Sequence, residues 1–149
     1  MIRIVIDSSS DLQLGEALIR NLDLVSITIQ VGEHSYLDGV DLDRDTFYKE
    51  LAESSDFPKT SQPSPQAFLD IFENAKEKGE EVVCILLSSA LSGTCQSAYL
   101  ARTMADYDKI HIVDSLSATG LIRILIDRAC ELRDKGFSAA QIAADLETL

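Results

Sequence analysis

The chain has 149 residues, of which 46% are hydrophobic, and its formal net charge is -12 at pH 7. This length suits one domain with a single hydrophobic core and is too short for two. The acidic balance argues against nucleic-acid partners and anionic membrane surfaces, because both are bound through Lys and Arg.

The first half of the chain predicts alternating strands, turns and helices. A β-branched run over 2–6 is typical of a buried strand, and Asp11 is predicted to cap a helix whose apolar face contains Leu14, Ala17 and Leu18. A strand is predicted over 24–31 and a hairpin partner over 34–37. A helix beginning at Asp43 or Asp45 and passing through Phe47, Tyr48 and Leu51 comes next, and a loop is predicted over 54–65, where all three prolines lie.

The second half repeats strand and helix more regularly. A helix with Phe68, Ile71, Phe72 and Ala75 on one face is predicted to end at Gly79, and a buried strand follows over 82–87. A helix from Ser92 through Ala98, Ala101 and Met104 is predicted next, and a strand follows over 110–113. A further helix has an apolar stripe formed by Leu121, Leu125, Ala129 and Leu132. Ser138 is predicted to cap a last helix, which contains Ile142, Leu146 and Leu149. This alternation indicates the α/β class, as one three-layer sandwich with a mostly parallel sheet.

The chain has no stretch of roughly 18 apolar residues and no signal-peptide pattern, so we expect a cytoplasmic protein without integral membrane association. Cys84, Cys95 and Cys130 are widely spaced and form no CxxC pair. They are expected to fill apolar positions rather than to form disulfides or bind zinc.

Short hydroxyl-rich turns follow several of the apolar runs, at 7–12, 60–64, 91–94 and 114–115. If those runs are neighbouring parallel strands, the turns meet at the carboxyl edge of the sheet, where open α/β folds bind ligands. Ser92 can either cap the following helix or donate its hydroxyl to a ligand, and both alternatives stay open. Ser64 before Pro65 is a helix start that needs no ligand to explain it.

The charges near these turns favour a ligand with one negative charge. Lys59 is the only cation beside them, whereas five aspartates lie at the same predicted strand ends: Asp7, Asp11, Asp38, Asp41 and Asp114. A di- or triphosphate would face several like charges there, so a single carboxylate fits better. Nucleotide binding has no glycine fingerprint to support it.

Two further chemistries have weak support. Serine hydrolysis lacks the GxSxG elbow and has only His34 and His111 as bases. A magnesium site formed by Asp7, Asp38 and Asp114 is conceivable, but aspartates at strand ends more often cap helices and form turns. We therefore expect no catalytic residue, metal or cofactor.

Five motifs, in this order, resemble the N-terminal domain of the DegV family. They are VIDSSSDL (5–12), YLDGVD (36–41), KTSQPS (59–64), LSGT (91–94) with QSA (96–98), and VDS (113–115) followed by Gly120. Two positions depart from the family pattern: Ser9 stands where threonine is frequent, and Cys95 where an aromatic residue is common.

The resemblance implies a bacterial fatty-acid-binding protein, similar to the binding subunit of fatty acid kinase, that presents a long-chain acyl carboxylate to the kinase catalytic subunit. It implies that Thr60 and Ser92 hold the carboxylate, and that the tail lies in an apolar tunnel. Supporting contacts would come from Ser61, Gln62, Gly93 and Thr94.

Residues 1–149 then correspond to the N-terminal domain alone, without the family's C-terminal lid domain. The alternatives are an enzyme acting on a small phosphorylated or hydroxylated substrate, and a purely structural or interaction domain.

Overall fold

The computed structural model describes residues 2–10, 12, 14–31, 34–37, 49, 52, 59–61, 63–86, 88–89, 93–116 and 120–148. The strands are β1 Ile2–Asp7, β2 Asp23–Val25, β3 Thr28–Val31, β4 His34–Leu37, β5 Lys59–Ser61, β6 Glu81–Leu86 and β7 Ile110–Asp114. The helices are α1 Leu14–Ile19, α2 Pro65–Lys78, α3 Thr94–Ala105, α4 Gly120–Asp134 and α5 Ala139–Glu147, with a 3₁₀ turn over Ser8–Ser10.

Four strands form a parallel sheet in the order β2-β1-β6-β7. Val5 of β1 pairs with Asp23 on one side and with Cys84 on the other, and Cys84 pairs in turn with Ile112. The apolar runs of β1 and β6 are buried because helices cover both faces of these strands. The predicted strands over 2–6 and 110–113 are confirmed as β1 and β7. The predicted strand over 82–87 is confirmed as β6 through Leu86, since Leu87 lies outside the described residues.

Helices pack on both faces of the sheet, so the three-layer α/β prediction is confirmed. One core lies under α1, α4 and α5 and contains Ile4, Ile6 and Val83 from the sheet. The other lies under α2 and α3 and contains Val5 and Cys84. Successive strand residues alternate between the two cores, as the two-residue period of a strand requires.

The prediction of one strand over 24–31 is wrong in a way that affects the site. The chain leaves the main sheet after Val25, and β3 begins a separate antiparallel sheet in the order β4-β3-β5. The hairpin between β3 and β4 is confirmed, with Val31 paired to His34. The predicted loop over 54–65 is also wrong at Lys59–Ser61, because β5 pairs with β3 there.

Helix ends follow the predicted capping chemistry. The Ser64 side chain accepts from the Ala67 N–H (3.3 Å) with Pro65 at the start of α2, and Gly79 ends this helix at φ 67°. Ser138 caps α5 in a capping box with Gln141.

Three apolar side chains predicted to face the core are exposed instead: Leu18 by 67%, Met104 by 54% and Leu121 by 59%. They lie at the borders of the apolar stripes of their helices, where the helix surface turns away from the sheet. The predictions for Asp11, for the helix beginning at Asp43 or Asp45, and for Leu149 fall outside the described residues.

Candidate functional site

The carboxyl edge of the main sheet is where its connections diverge. The chain passes from β1 to β2 on one side of β1 and later to β6 on the other side. Ala17 of α1 belongs to one core, while Ala98 of α3 belongs to the opposite one. A crevice between helices on opposite faces is therefore expected at the carboxyl ends of β1 and β6.

At this edge, the turn after β1 is hydrogen-bonded to the residue that precedes β3 of the antiparallel sheet. The Ile27 N–H donates to Ser8 Oγ (2.9 Å), directly after β1. The next residue, Thr28, is the strand partner of Ser61 in β5. Ser61, the last residue of β5, therefore lies near the end of β1, although β5 is not part of the parallel sheet. Thr60 precedes it on the same strand.

The loops after β6 and β7 are joined through one carboxylate. Asp114 accepts from the Ser89 N–H (3.2 Å to Oδ1, 3.3 Å to Oδ2), from the Ser89 hydroxyl and from the Leu116 N–H (3.0 Å to Oδ1). Burial by itself raises the pKa of the Asp114 carboxyl, but these hydrogen bonds outweigh it and hold the pKa below its usual value. Asp114 is therefore ionised at neutral pH.

Helix α3 begins at the same edge. Its N-cap position is Gly93, which has no side chain to cap with. Whether Ser92 caps this helix or binds a ligand falls outside the described residues. Thr94 and Cys95 are buried in the first turn. Burial, together with the charges of Asp114 and Asp7, raises the pKa of the Cys95 thiol to about 12. The carboxylates at the ends of β1 and β7 thus both raise the pKa of a thiol in the first turn of α3.

An apolar cavity of about 420 Å³ opens beside Asp114 and runs over the edge of the sheet at β7. Its apolar lining is contributed by α3, β7, the turn after it, α4 and α5: Tyr99, Ile112, Leu116, Leu121, Ile124, Leu125 and Leu146. Its polar lining is Asp114, Ser115 and Glu147, and the described lining contains no Lys or Arg. The volume lies in the usual range of about 300–1,000 Å³ for small-molecule sites.

The predicted site residues are only partly described. Gly93 and Thr94 lie at the carboxyl edge, and Thr60 and Ser61 lie on β5 with Ser61 exposed. Ser92 and Gln62 fall outside the described residues. The pairing of Thr60 with Ser92 around one ligand therefore remains a prediction.

Sequence reasoning missed Ser89, Asp114 as a link between loops, and the cavity. The serine doublet after β6 was a usable signal for Ser89. Its partner lies 25 residues away, which no local pattern reveals.

The rival chemistries gain nothing from this geometry. His111 lies three residues before the end of β7 and so about 10 Å from the carboxyl edge, which does not suit a base for a hydroxyl there. Within the described ranges, no three His, Cys, Asp or Glu side chains are grouped as metal ligands. Asp38 of the conceivable magnesium site is outside those ranges.

Fold and edge together define the class: an α/β sandwich whose strand-end loops, rich in hydroxyl groups, adjoin an apolar cavity. A family model described as an uncharacterised protein of the DegV family matches residues 1–149. The chain belongs to the DegV family.

Relatives and solved structures agree with this assignment. A DegV domain-containing protein of Clostridium acetobutylicum is 35% identical over 147 residues, which is 97% of this chain and 52% of the relative. A stearic acid-binding protein from Eubacterium ventriosum has a TM-score of 0.88 at 34% identity, covering 100% of this chain and 53% of that protein. The fatty acid kinase B3 protein of Streptococcus pneumoniae, solved with linoleic acid, has a TM-score of 0.83 at 27% identity, covering 99% and 53%.

The chain spans about half the length of the curated relatives it matches. Among the described residues, every helix is too short or too polar to cross a bilayer.

Proposed function

We propose that this chain binds a long-chain fatty acid, with the carboxylate at the hydroxyl-bearing loops and the tail in the apolar cavity, and presents the acyl carboxylate to a partner kinase. The observation that carries the proposal is the apolar cavity that opens beside Asp114 and Ser115, where β7 ends at the carboxyl edge of the sheet. Family members of similar structure that bind stearic and linoleic acid support the ligand class.

The head group is assigned to Thr60 and Ser92, with Ser61, Gln62, Gly93 and Thr94 in support. Two observations favour this assignment. The backbone of β5 lies beside the turn after β1, through the Ser8 and Thr28 contacts. The N-terminus of α3, where backbone N–H groups and the helix dipole favour an anion, faces the same edge.

The tail is assigned to the cavity because of its walls. Ile112, Leu125 and Leu146 are nearly buried, at 8%, 8% and 2% exposure, whereas Leu121 and Ile124 form an exposed rim. Removing an acyl chain from water against such a surface stabilises the complex by about 0.8 kcal/mol per buried CH₂ group.

The protein acts as a carrier and performs no bond chemistry in this proposal. The absence of Lys and Arg from the described cavity lining supports a ligand with a single negative charge over a nucleotide. The partner is the catalytic subunit of fatty acid kinase, a role suggested by the kinase B3 protein among the similar structures.

The head-group assignment predicts that Thr60→Ala and Ser92→Ala each weaken stearic acid binding by about 1–3 kcal/mol, because each removes a donor from a desolvated carboxylate. Binding is measured by titrating delipidated protein and counting bound acid by native mass spectrometry. Thermal unfolding checks that the fold is kept.

Thr103→Ala is the matched control, because Thr103 is an exposed threonine on α3 whose hydroxyl donates to the Tyr99 carbonyl (3.2 Å). It should bind stearic acid like the unaltered chain. Undiminished binding by the Thr60 and Ser92 double variant would refute the assignment. Magnesium-dependent nucleotide turnover by the purified chain would instead favour the enzyme alternative.

A further inference from the structure

The carboxylate of Asp114 stands in an unexpected place for a site that binds an anion. Asp114 lines the cavity beside Ser115. Simple electrostatics would make its negative charge oppose an acyl carboxylate bound nearby. If Asp114 favours binding in spite of this repulsion, the benefit has to come from the hydrogen bonds that its carboxylate accepts.

The contacts of Asp114 join two separate loops. Ser89 in the loop after β6 donates through both its N–H and its hydroxyl, and Leu116 in the loop after β7 donates through its N–H. Hydrogen bonds to an ionised group are stronger than neutral ones, and three donors spread the charge of this carboxylate.

Ser89, which Asp114 binds, is close in sequence to the proposed head-group residues. Ser89 precedes Ser92 by three positions and the N-cap residue Gly93 by four. Leu116, on the other side of the link, lines the cavity. The link therefore joins Ser89, three positions before Ser92 in the sequence, to the wall of the cavity.

We infer that Asp114 is a positioning residue for fatty acid binding: its ionised carboxylate fixes the loop after β6 against the cavity, so that head-group donors and tail site stay in register. This inference rests on the proposed function. It extends that function by giving a role to an acidic group that a charge argument alone would count as unfavourable.

The test is a double-mutant cycle on Asp114→Asn and Ser89→Ala, read out as the Kd for stearic acid. Asn keeps one acceptor oxygen but places an NH₂ group against the Ser89 donors, so we expect affinity to fall about tenfold. Ser89→Ala should weaken binding less, and the double variant should match Asp114→Asn within about twofold, because both changes break the same link.

The sign of the effect separates positioning from plain electrostatics. Tighter binding by Asp114→Asn would mean that the charge only repels the ligand, and unchanged binding with a lowered Tm would mean that the link only stabilises the fold. Either result, or an additive double variant, would overturn the inference. The control is Asp108→Asn, which removes an exposed carboxylate just before the other end of β7 and should leave Kd unchanged.

A second readout does not need the ligand. In ligand-free protein, Asp114→Asn should speed amide hydrogen exchange at Ser89 and over 93–95 while exchange in the strands stays slow. Unchanged exchange there would also overturn the inference. If the unaltered chain binds no stearic acid but exchange responds as expected, the positioning of the loop stands and the proposed function fails.

Discussion

Several described hydroxyl groups at the carboxyl edge are hydrogen-bonded within the protein. Ser10 donates to the Asp7 carbonyl (2.9 Å), Ser8 accepts from the Ile27 N–H, and Ser89 donates to Asp114. These three serines thus hold strand ends together, and their hydroxyl groups already have partners within the protein. The structural role of Ser64 could be predicted from the sequence, because Pro65 marks a helix start. The hydrogen bonds of Ser8 and Ser89 could not, because their partners are remote in the chain.

Cys95 gives a prediction at the same scale. Its pKa of about 12, raised by burial and by Asp114 and Asp7, leaves only about one thiol in a thousand ionised at pH 9. The unfolded thiol, with a pKa near 8.5, is mostly thiolate there. Iodoacetamide at pH 9 should therefore label Cys95 far more slowly in the folded chain than in guanidinium, as followed by peptide mass mapping. Equal rates in both states would contradict the buried, charge-flanked position.

At the scale of elements, the cavity exists because helices on opposite faces of the sheet meet beyond an edge strand. Tyr99 comes from α3 on one face, and Leu121 and Leu125 come from α4 on the other, with β7 between them. The predicted stripe of α4 was correct for Leu125, Ala129 and Leu132, which are buried. It was wrong for Leu121, because periodicity does not distinguish a core wall from a cavity rim.

Two leucines test the tail site at this scale. Leu121 is 59% exposed on the cavity rim of α4, and Leu100 is 51% exposed on α3 outside the described lining. Leu121→Glu should weaken stearic acid binding at least about tenfold, because the change puts a charge against the acyl chain. Leu100→Glu should leave the Kd unchanged, and both variants should keep the Tm within a few degrees. Equal effects of the two changes on the Kd would contradict the placement of the acyl chain in this cavity.

The elements that the sequence did not reveal were hidden for two physical reasons. Apolar runs predicted β1, β6 and β7, because a strand buried on both faces needs a continuous run. Lys59–Ser61 has no such run, and it forms β5 only because β3 offers a partner about 30 residues earlier. The departure of β3 from the main sheet was hidden for the second reason: the apolar pattern continues through Ile27 and does not mark the break after Val25.

At the scale of the whole molecule, the order β2-β1-β6-β7 brings together loops that lie far apart in the sequence. The family motifs at 5–12, 91–98 and 113–120 have described residues at the carboxyl edge, and β5 brings 59–61 beside it. The family could be recognised from those motifs, but the location of the cavity required the packing of the helices.

The most direct test of the central proposal compares two ligands that differ only at the head. Stearic acid and stearyl alcohol share the same tail, and only the acid carries the single negative charge that the hydroxyl-bearing loops are proposed to hold. Equilibrium titration of the delipidated chain should give a Kd for the acid at least about tenfold lower than for the alcohol. Equal affinity for both, or binding of neither, would contradict the account.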